Sequence, residues 1–276
     1  MLKLFANFFW TYLPGPWQKN ISYGFSRFLN LKISRLLITP SCFIFNMDTD
    51  YLNQFVPETG KNYYNSYSDF FRRKYKMTPT IESPAVWPCE GYVCDWGQFS
   101  EKKESSVKGQ ILSLSRIFLP EWKISPSYSF LNIFLHNHNY HRIHAPVGAT
   151  VKNIIHIPGD LVFLRPWFYK REDVSYPAFR NERVTIELED VRKKSWFVTL
   201  VGGFGVGSIE LLQGLEVGRN LNAGDEMAYF KLGSTICIAS PYSLHLSQYL
   251  QKVFVGQKMF ATMDEKEPYP ETEIQA

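Results

Sequence analysis

The sequence predicts an α+β fold, with amphipathic helices at the front followed by a mostly β core domain. Three observations carry this. Apolar residues recur at helical spacing through about the first 45 positions. Beyond residue 60, short β-branched and aromatic runs are punctuated by Gly, Pro and Asn. The chain closes on the acidic, proline-bearing stretch Asp264-Glu265-Lys266-Glu267-Pro268-Tyr269-Pro270-Glu271. The expected division is a helical segment over 1–60, one large domain over 61–262 and a disordered acidic tail over 263–276.

Leu4, Phe5, Phe8, Phe9, Tyr12 and Leu13 form one helical stripe, which Pro14-Gly15-Pro16 breaks. Phe25, Phe28, Leu29, Ile33, Leu36 and Leu37 form a second, with Lys19, Arg27, Lys32 and Arg35 placing positive charge among them. Neither reaches the ~18 uninterrupted apolar residues that a spanning helix needs. Two readings stand: helices packed on the core, or amphipathic helices lying in a bilayer interface with aromatic rings buried and basic groups among the headgroups. Met1-Leu2-Lys3 leads into no small-residue cleavage site, so no removable signal peptide is expected. Strands are expected over 92–96, 150–157, 184–188, 196–201 and 235–239, and a solvated charged loop over 101–106. No repeat with a period of about 20 to 50 residues is present.

At 276 residues, 45% apolar and 16% aromatic, the chain can bury a substantial core in one domain. Its net charge of +4 favours an anionic lipid surface, and the lack of a dense Lys/Arg stripe argues against a nucleic-acid partner. Cys42, Cys89, Cys94 and Cys237 form no CxxC pair, which argues against zinc and for a reducing compartment. Asn20-Ile21-Ser22 matches a glycosylation sequon by chance.

Chemistry enters at Lys231-Leu232-Gly233-Ser234-Thr235. Gly233 has no Cβ, so the backbone there can take a strained path that lets Ser234 Oγ approach the preceding carbonyl. Attack would exchange the amide for an ester, elimination would leave dehydroalanine, and hydrolysis with loss of ammonia would leave a pyruvoyl group. Its carbonyl could capture an amine and act as an electron sink. Alone, the run is weak evidence for this and reads rather as a turn with a small hydroxyl residue entering a buried strand. Asn139-Tyr140-His141-Arg142-Ile143-His144-Ala145-Pro146 adds two imidazoles three apart, beside the apolar Leu131-Asn132-Ile133-Phe134-Leu135. Histidine titrates nearest neutral pH, so His141 and His144 can divide base and acid roles. Gly202-Gly203-Phe204-Gly205-Val206-Gly207-Ser208 either lets backbone approach a substrate or bends a strand; its spacing is not GxGxxG, so no dinucleotide site follows.

These motifs resemble those of the phosphatidylserine decarboxylases, whose proenzymes carry an LGST self-cleavage motif and a Tyr-His-Arg-x-His-x-Pro segment. The resemblance runs in order through Tyr67-Ser68-Asp69-Phe70-Phe71-Arg72-Arg73, Val107-Lys108-Gly109-Gln110 with Ser113-Leu114, Ile157-Pro158-Gly159-Asp160-Leu161, Arg180-Asn181-Glu182-Arg183-Val184 and Val206-Gly207-Ser208-Ile209-Glu210. It implies cleavage between Gly233 and Ser234 into a large chain, 1–233, and a small chain, 234–276, held together as a heterodimer. Ser234 becomes the covalent pyruvoyl cofactor and the Schiff-base site, His144 is the base for self-cleavage, and His141 is the acid in decarboxylation. The reaction implied is phosphatidylserine to phosphatidylethanolamine and CO2.

The family's aspartate in Pro-x-Asp-Gly, which orients the base, falls on Glu90 of Pro88-Cys89-Glu90-Gly91. One extra methylene moves the carboxylate by about an ångström, and triad geometry is sensitive to that. Asp95 is the fallback. Pro146-Val147-Gly148-Ala149 also departs, placing its glycine one residue earlier than the family does. A lipid substrate favours the interfacial reading of the front helices, and so a peripheral membrane protein at the cytoplasmic face, with homo-oligomers left open. Two other readings are the same chemistry on a soluble amino acid, which the aromatic front argues against, and a catalytically silent membrane-binding member, which intact Ser234, His141 and His144 argue against.

Overall fold

The computed structural model describes residues 15–100, 104–107, 110–118, 124–161, 176–203, 209–231, 234–243, 246 and 250–259. At the front lie α1 (Gly15–Asn30), a 3-10 turn (Lys32–Leu37), α2 (Ile38–Ile44), α3 (Thr49–Leu52) and α4 (Tyr67–Phe71), with α5 (Ser115–Phe118) and α6 (Tyr176–Arg180) set among the later strands. The strands are β1 (Phe55–Val56), β2 (Lys74–Tyr75), β3 (Gly91–Gln98), β4 (Glu104–Val107), β5 (Gln110–Ser113), β6 (Ser129–Leu135), β7 (Arg142–His144), β8 (Ala149–Ile157), β9 (Arg183–Asp190) and β10 (Ser195–Gly202). They continue with β11 (Ile209–Leu211), β12 (Asn220–Leu221), β13 (Glu226–Phe230), β14 (Ser234–Ser240) and β15 (Gln251–Val253). This is the expected α+β fold with a mostly β core. The five expected strands are β3, β8, β9, β10 and β14.

Eight strands form one antiparallel sheet in the order β12-β8-β9-β10-β14-β6-β3-β15, and β11-β13-β7 form a second. Leu131, Ile133, Leu135, Val198, Leu200, Ile236 and Ile238 of the large sheet pack in one cluster with Ile143, Met227, Ala228 and Phe230 of the small one. The opposite face of the large sheet presents Phe130, Phe134, Phe197, Val201, Cys237 and Ala239 to Ile117 and Phe118 of α5. Covered on two faces, β6 and β14 are buried at every residue, which explains their apolar runs where a half-buried strand would alternate.

The front helix inverts the usual polarity. Gln18, Ser22, Ser26 and Leu29 of α1 are buried, whereas Trp17, Ile21, Phe25 and Phe28 are exposed. Its contacts with the rest of the chain are of both kinds: Lys19 pairs with Glu182 at 3.1 Å, and Leu29 packs with Tyr67, Phe70 and Phe71. In the following turn Ser34 Oγ accepts from Tyr67 N at 3.0 Å and so ties the front to α4. Ile33, Leu36 and Leu37 stay exposed, as do Phe43 (87%) and Ile44 (72%) of α2. Leu29, placed by spacing on the second stripe, turns inward instead, because it falls on the face that Gln18, Ser22 and Ser26 share. The first stripe, residues 4–13, lies outside the described residues, as does the tail. The loop expected over 101–106 is corrected in part: 104–107 form β4, which pairs with β5 from Glu104 opposite Ser113 to Val107 opposite Gln110.

Candidate active site

Ser234 opens β14, opposite Gly202 of β10 on one side and Leu135 of β6 on the other. It is fully buried, and its Oγ has no hydrogen-bond partner among the described residues. Buried polar atoms are normally satisfied, so an orphaned hydroxyl marks a place where stability gives way to another demand. Gly202 is pinned at both backbone groups: its N–H donates to Glu182 O at 2.9 Å, and its C=O accepts from Asn181 Nδ2 at 2.7 Å. The segment that does this is itself fixed, since Arg180 Nε meets Asp160 Oδ2 at 2.6 Å and Asp160 bridges Asn181 in parallel. A Cβ on Gly159 would run into the backbone of Arg180, Asn181 and Glu182, so only glycine allows this approach. Two motif blocks distant in sequence therefore meet beside Ser234. Gly233 lies outside the described residues.

Both histidines lie on the stretch that follows β6. β6 ends at Leu135, the partner of Ser234, and the chain then turns through 136–141, with Asn139 Oδ1 accepting from His136 N at 2.7 Å. β7 next pairs with β13, and Phe230 N, four residues before Ser234, donates to His141 O at 3.1 Å. His141 is fully buried against Phe71, ring centroids 3.9 Å apart. Its Nδ1 lies 2.8 Å from the Asn139 carbonyl; a carbonyl only accepts, so Nδ1 carries the hydrogen and Nε2 the lone pair. Nε2 has no partner among the described residues. Burial first, and the Arg73 guanidinium second, hold His141 well below the usual histidine pKa.

His144 is held at two nitrogens. Nδ1 lies 2.7 Å from Gly224 O, which again places the hydrogen on Nδ1, and Nε2 lies 3.1 Å from the Tyr140 hydroxyl. Gly224 sits at φ +86 in the turn before β13, and a Cβ there would meet Ile81 Cδ1. Burial lowers the His144 pKa, partly offset by the Gly224 carbonyl and Glu226. Both imidazoles are thus neutral near pH 7, each with a lone pair at Nε2.

Glu90 is elsewhere. Its carboxylate, fully buried, accepts from Tyr51 OH at 2.7 Å, Asn139 Nδ2 at 2.8 Å and Tyr140 N at 3.1 Å, and lies 3.6 Å from Lys252 Nζ. The main chain of His144 does come near, its N–H donating to Pro88 O at 2.8 Å. The Glu90 side chain nevertheless reaches the 139–140 turn and not the imidazole: two donors of that turn, the Tyr51 hydroxyl and the nearby Lys252 ammonium together satisfy the buried carboxylate. Asp95 lies at the bulge of β3, opposite Asn132. Beside Glu90, Arg73 Nη2 donates to the carbonyls of His138 at 2.7 Å and Asn139 at 2.8 Å, so a buried cation clamps the turn that carries His141.

Over residues 67–261 the chain matches the family described as Phosphatidylserine decarboxylase. The chain belongs to the phosphatidylserine decarboxylase family. Among its relatives, a phosphatidylserine decarboxylase proenzyme of Citrobacter koseri is 30% identical over 258 residues, covering 80% of this chain and 79% of that protein. The proenzyme of Saccharophagus degradans is 31% identical over 232 residues, covering 76% and 79%. That of Marinobacter nauticus is 29% identical over 201 residues, covering 64% and 69%.

Within this decarboxylase-family fold, Ser234 opens β14 of the large sheet, His141 directly precedes β7 of the small sheet and His144 ends it, and the Glu90 carboxylate reaches the 139–140 turn. Sequence reading missed Tyr140, Arg142, Arg73 and Glu226. Tyr140 and Arg142 sit inside the quoted histidine motif and Arg73 inside the block over 67–73. Glu226 and Gly224 lie in no quoted block; only the β7–β13 register brings them to His144.

Proposed function

We propose that this chain is a self-processing, pyruvoyl-dependent phosphatidylserine decarboxylase. It cuts between Gly233 and Ser234, keeps its large and small chains together, and converts phosphatidylserine to phosphatidylethanolamine and CO2 at a membrane surface. The observation that carries the reading is the buried Ser234 hydroxyl, unpartnered among the described residues; the two buried imidazoles, held neutral, support it. A hydroxyl with no hydrogen-bond partner is free of the interaction that would hold it away from the preceding carbonyl. In this reading His144, neutral because burial disfavours its charged form, takes the Ser234 proton. Gly202, pinned at N–H and C=O, keeps the start of β14 from yielding as Oγ attacks.

The residues fit the cofactor, since a pyruvoyl group made from Ser234 needs a buried hydroxyl at a chain end that cleavage will create. Formed from Ser234, such a group would supply a carbonyl able to condense with the substrate amine and an electron sink for the pair left as CO2 departs. His141 then delivers a proton to the carbon that lost CO2. Burial and Arg73 leave Nε2 unprotonated in the precursor, so His141 must gain that proton once the anionic substrate is in the site.

Membrane association is supported by the reversed α1. No helix among the described residues is long and apolar enough to cross a membrane. Trp17, Phe25, Phe28, Leu36 and Phe43 instead face outward beside the exposed Arg27, Lys32 and Arg35. Aromatic anchors with basic neighbours suit an anionic interface.

Intact mass tests the whole reading. Wild type should give two fragments, 1–233 and 234–276, the smaller with a blocked amino terminus, and Ser234→Ala should give one chain. A wild-type preparation that stays whole with a free serine overturns it.

A further inference from the structure

With Glu90 turned to the 139–140 turn, a different carboxylate stands behind His144. Glu226 faces His144 across the β7–β13 pairing, at the irregularity between Glu226 and Ala228. The link is the Tyr140 hydroxyl, 3.1 Å from His144 Nε2 and 3.4 Å from Glu226 Oε1. Tyr140 is fully buried, its ring 5.7 Å from the imidazole. The other oxygen of Glu226 pairs with Arg142 Nη1 at 2.9 Å, and Arg142 is held in turn by Glu58 at 2.9 Å, so the carboxylate is fixed from behind.

We infer that Tyr140 and Glu226 are the positioning residues of His144 in self-cleavage, Glu226 acting through the Tyr140 hydroxyl at Nε2 while the Gly224 carbonyl holds Nδ1. This rests on the reading of His144 as base. While the imidazole is neutral, Tyr140 O–H donates to Nε2. For Nε2 to take the Ser234 proton, the phenol hydrogen first turns to Glu226, which frees the single Nε2 lone pair and leaves the Tyr140 oxygen as an acceptor for the N–H that forms. Imidazolium, phenol and carboxylate then form one chain, with no proton leaving Tyr140. Burial and Glu226 make the phenol a weaker acid still, which keeps it a donor throughout. Glu90 has a separate task, accepting from the Tyr140 backbone N–H and so setting where the phenol stands. The charged groups that act on His144 are Glu226 of β13, Asp225 just before it and Arg142 of β7.

Titration of His144 by imidazole NMR in the uncut Ser234→Ala chain tests this without needing cleavage. Adding Glu226→Gln should move the His144 midpoint to lower pH, by roughly one unit, a tenfold change in proton affinity. In a Tyr140→Phe background the same change should move it much less, since the link is gone, and Glu90→Gln should leave it in place. In cleavable chains Glu226→Gln should slow cutting about tenfold and shift its acid limb likewise, and Glu226→Asp should recover part of the rate. Equal shifts with and without the Tyr140 hydroxyl, or a shift from Glu90→Gln and none from Glu226→Gln, overturn the inference while wild type still cuts. A wild type that never cuts overturns the underlying reading of His144. If Glu226→Gln does not fold, Glu226→Asp with Tyr140→Phe carries the NMR comparison alone.

Discussion

Ser234 Oγ and His141 Nε2 are buried polar atoms without a partner among the described residues, each at a cost of about 1–3 kcal/mol relative to a satisfied group. The surrounding chain holds them there regardless: Gly202 by two hydrogen bonds, His141 by Asn139 O and the face of Phe71. Removal of the Ser234 proton and delivery of a proton to product are different steps, so the two histidines should separate by mutation. His144→Ala should remain uncut. His141→Ala should be cut but decarboxylate about 10²- to 10⁴-fold more slowly, the range for a lost general acid. Equal failure of cutting in the two variants, read by gel and intact mass, would show that the roles are divided wrongly. A milder sign accompanies this: with its pKa below 6.5, His144 is already neutral at pH 7, so cutting should be flat above that pH and fall only on the acid side.

At the scale of elements, α1 and the turn after it carry the proposal of a membrane surface. The helix keeps Gln18, Ser22 and Ser26 inward and shows Trp17, Ile21, Phe25 and Phe28 to its surroundings. Full burial of one such side chain stabilises by about 1.5–3 kcal/mol, so three of them outweigh the loss of a few surface hydrogen bonds. Phe25, Phe28 and Leu36 changed together to serine should lower vesicle binding by tenfold or more, and wild type should prefer anionic over neutral vesicles, less so at high salt. Because these side chains are exposed, folding should be unaffected, and a variant that sediments with vesicles as wild type does would assign the apolar face another partner.

Across the whole molecule, three buried or half-buried histidines have the same sign. Burial, with Lys252 and Arg73 nearby, takes His138 from 6.5 down to about 4, and His141 and His144 are lowered by burial too. Below pH 6.5 the unfolded chain therefore binds protons that the folded chain refuses. Stability should rise with pH across this window, and be lost as pH falls from about 6.5 toward about 4. Urea midpoints taken across that range in the uncut Ser234→Ala chain check it, and His138→Gln should flatten the slope. A midpoint that rises on acidification would contradict the sign of all three shifts.

Much of this architecture was legible in the chain. Strand β14 is legible in the run Thr235 to Ala239, β6 holds the largely apolar Leu131-Asn132-Ile133-Phe134-Leu135, and the proposed catalytic set Ser234, His141 and His144 stands in two local motifs whose spacing carries its own chemistry. Helical spacing likewise marked Phe25, Phe28, Ile33 and Leu36 as one apolar stripe. What tertiary structure alone decided is which partners these residues meet. Glu90, two residues from the main-chain partner of His144, sends its carboxylate to Tyr51 and the 139–140 turn, while Glu226, 82 positions beyond His144 by number, comes opposite it through β-pairing. Leu29 turns inward on a polar helix face for the same kind of reason. Local sequence sets spacing and propensity, which act over a few residues. Register between strands, and the choice of partner for a buried charge, depend on satisfying every donor and acceptor in a closed interior at once, and that condition exists only after the sheets have packed.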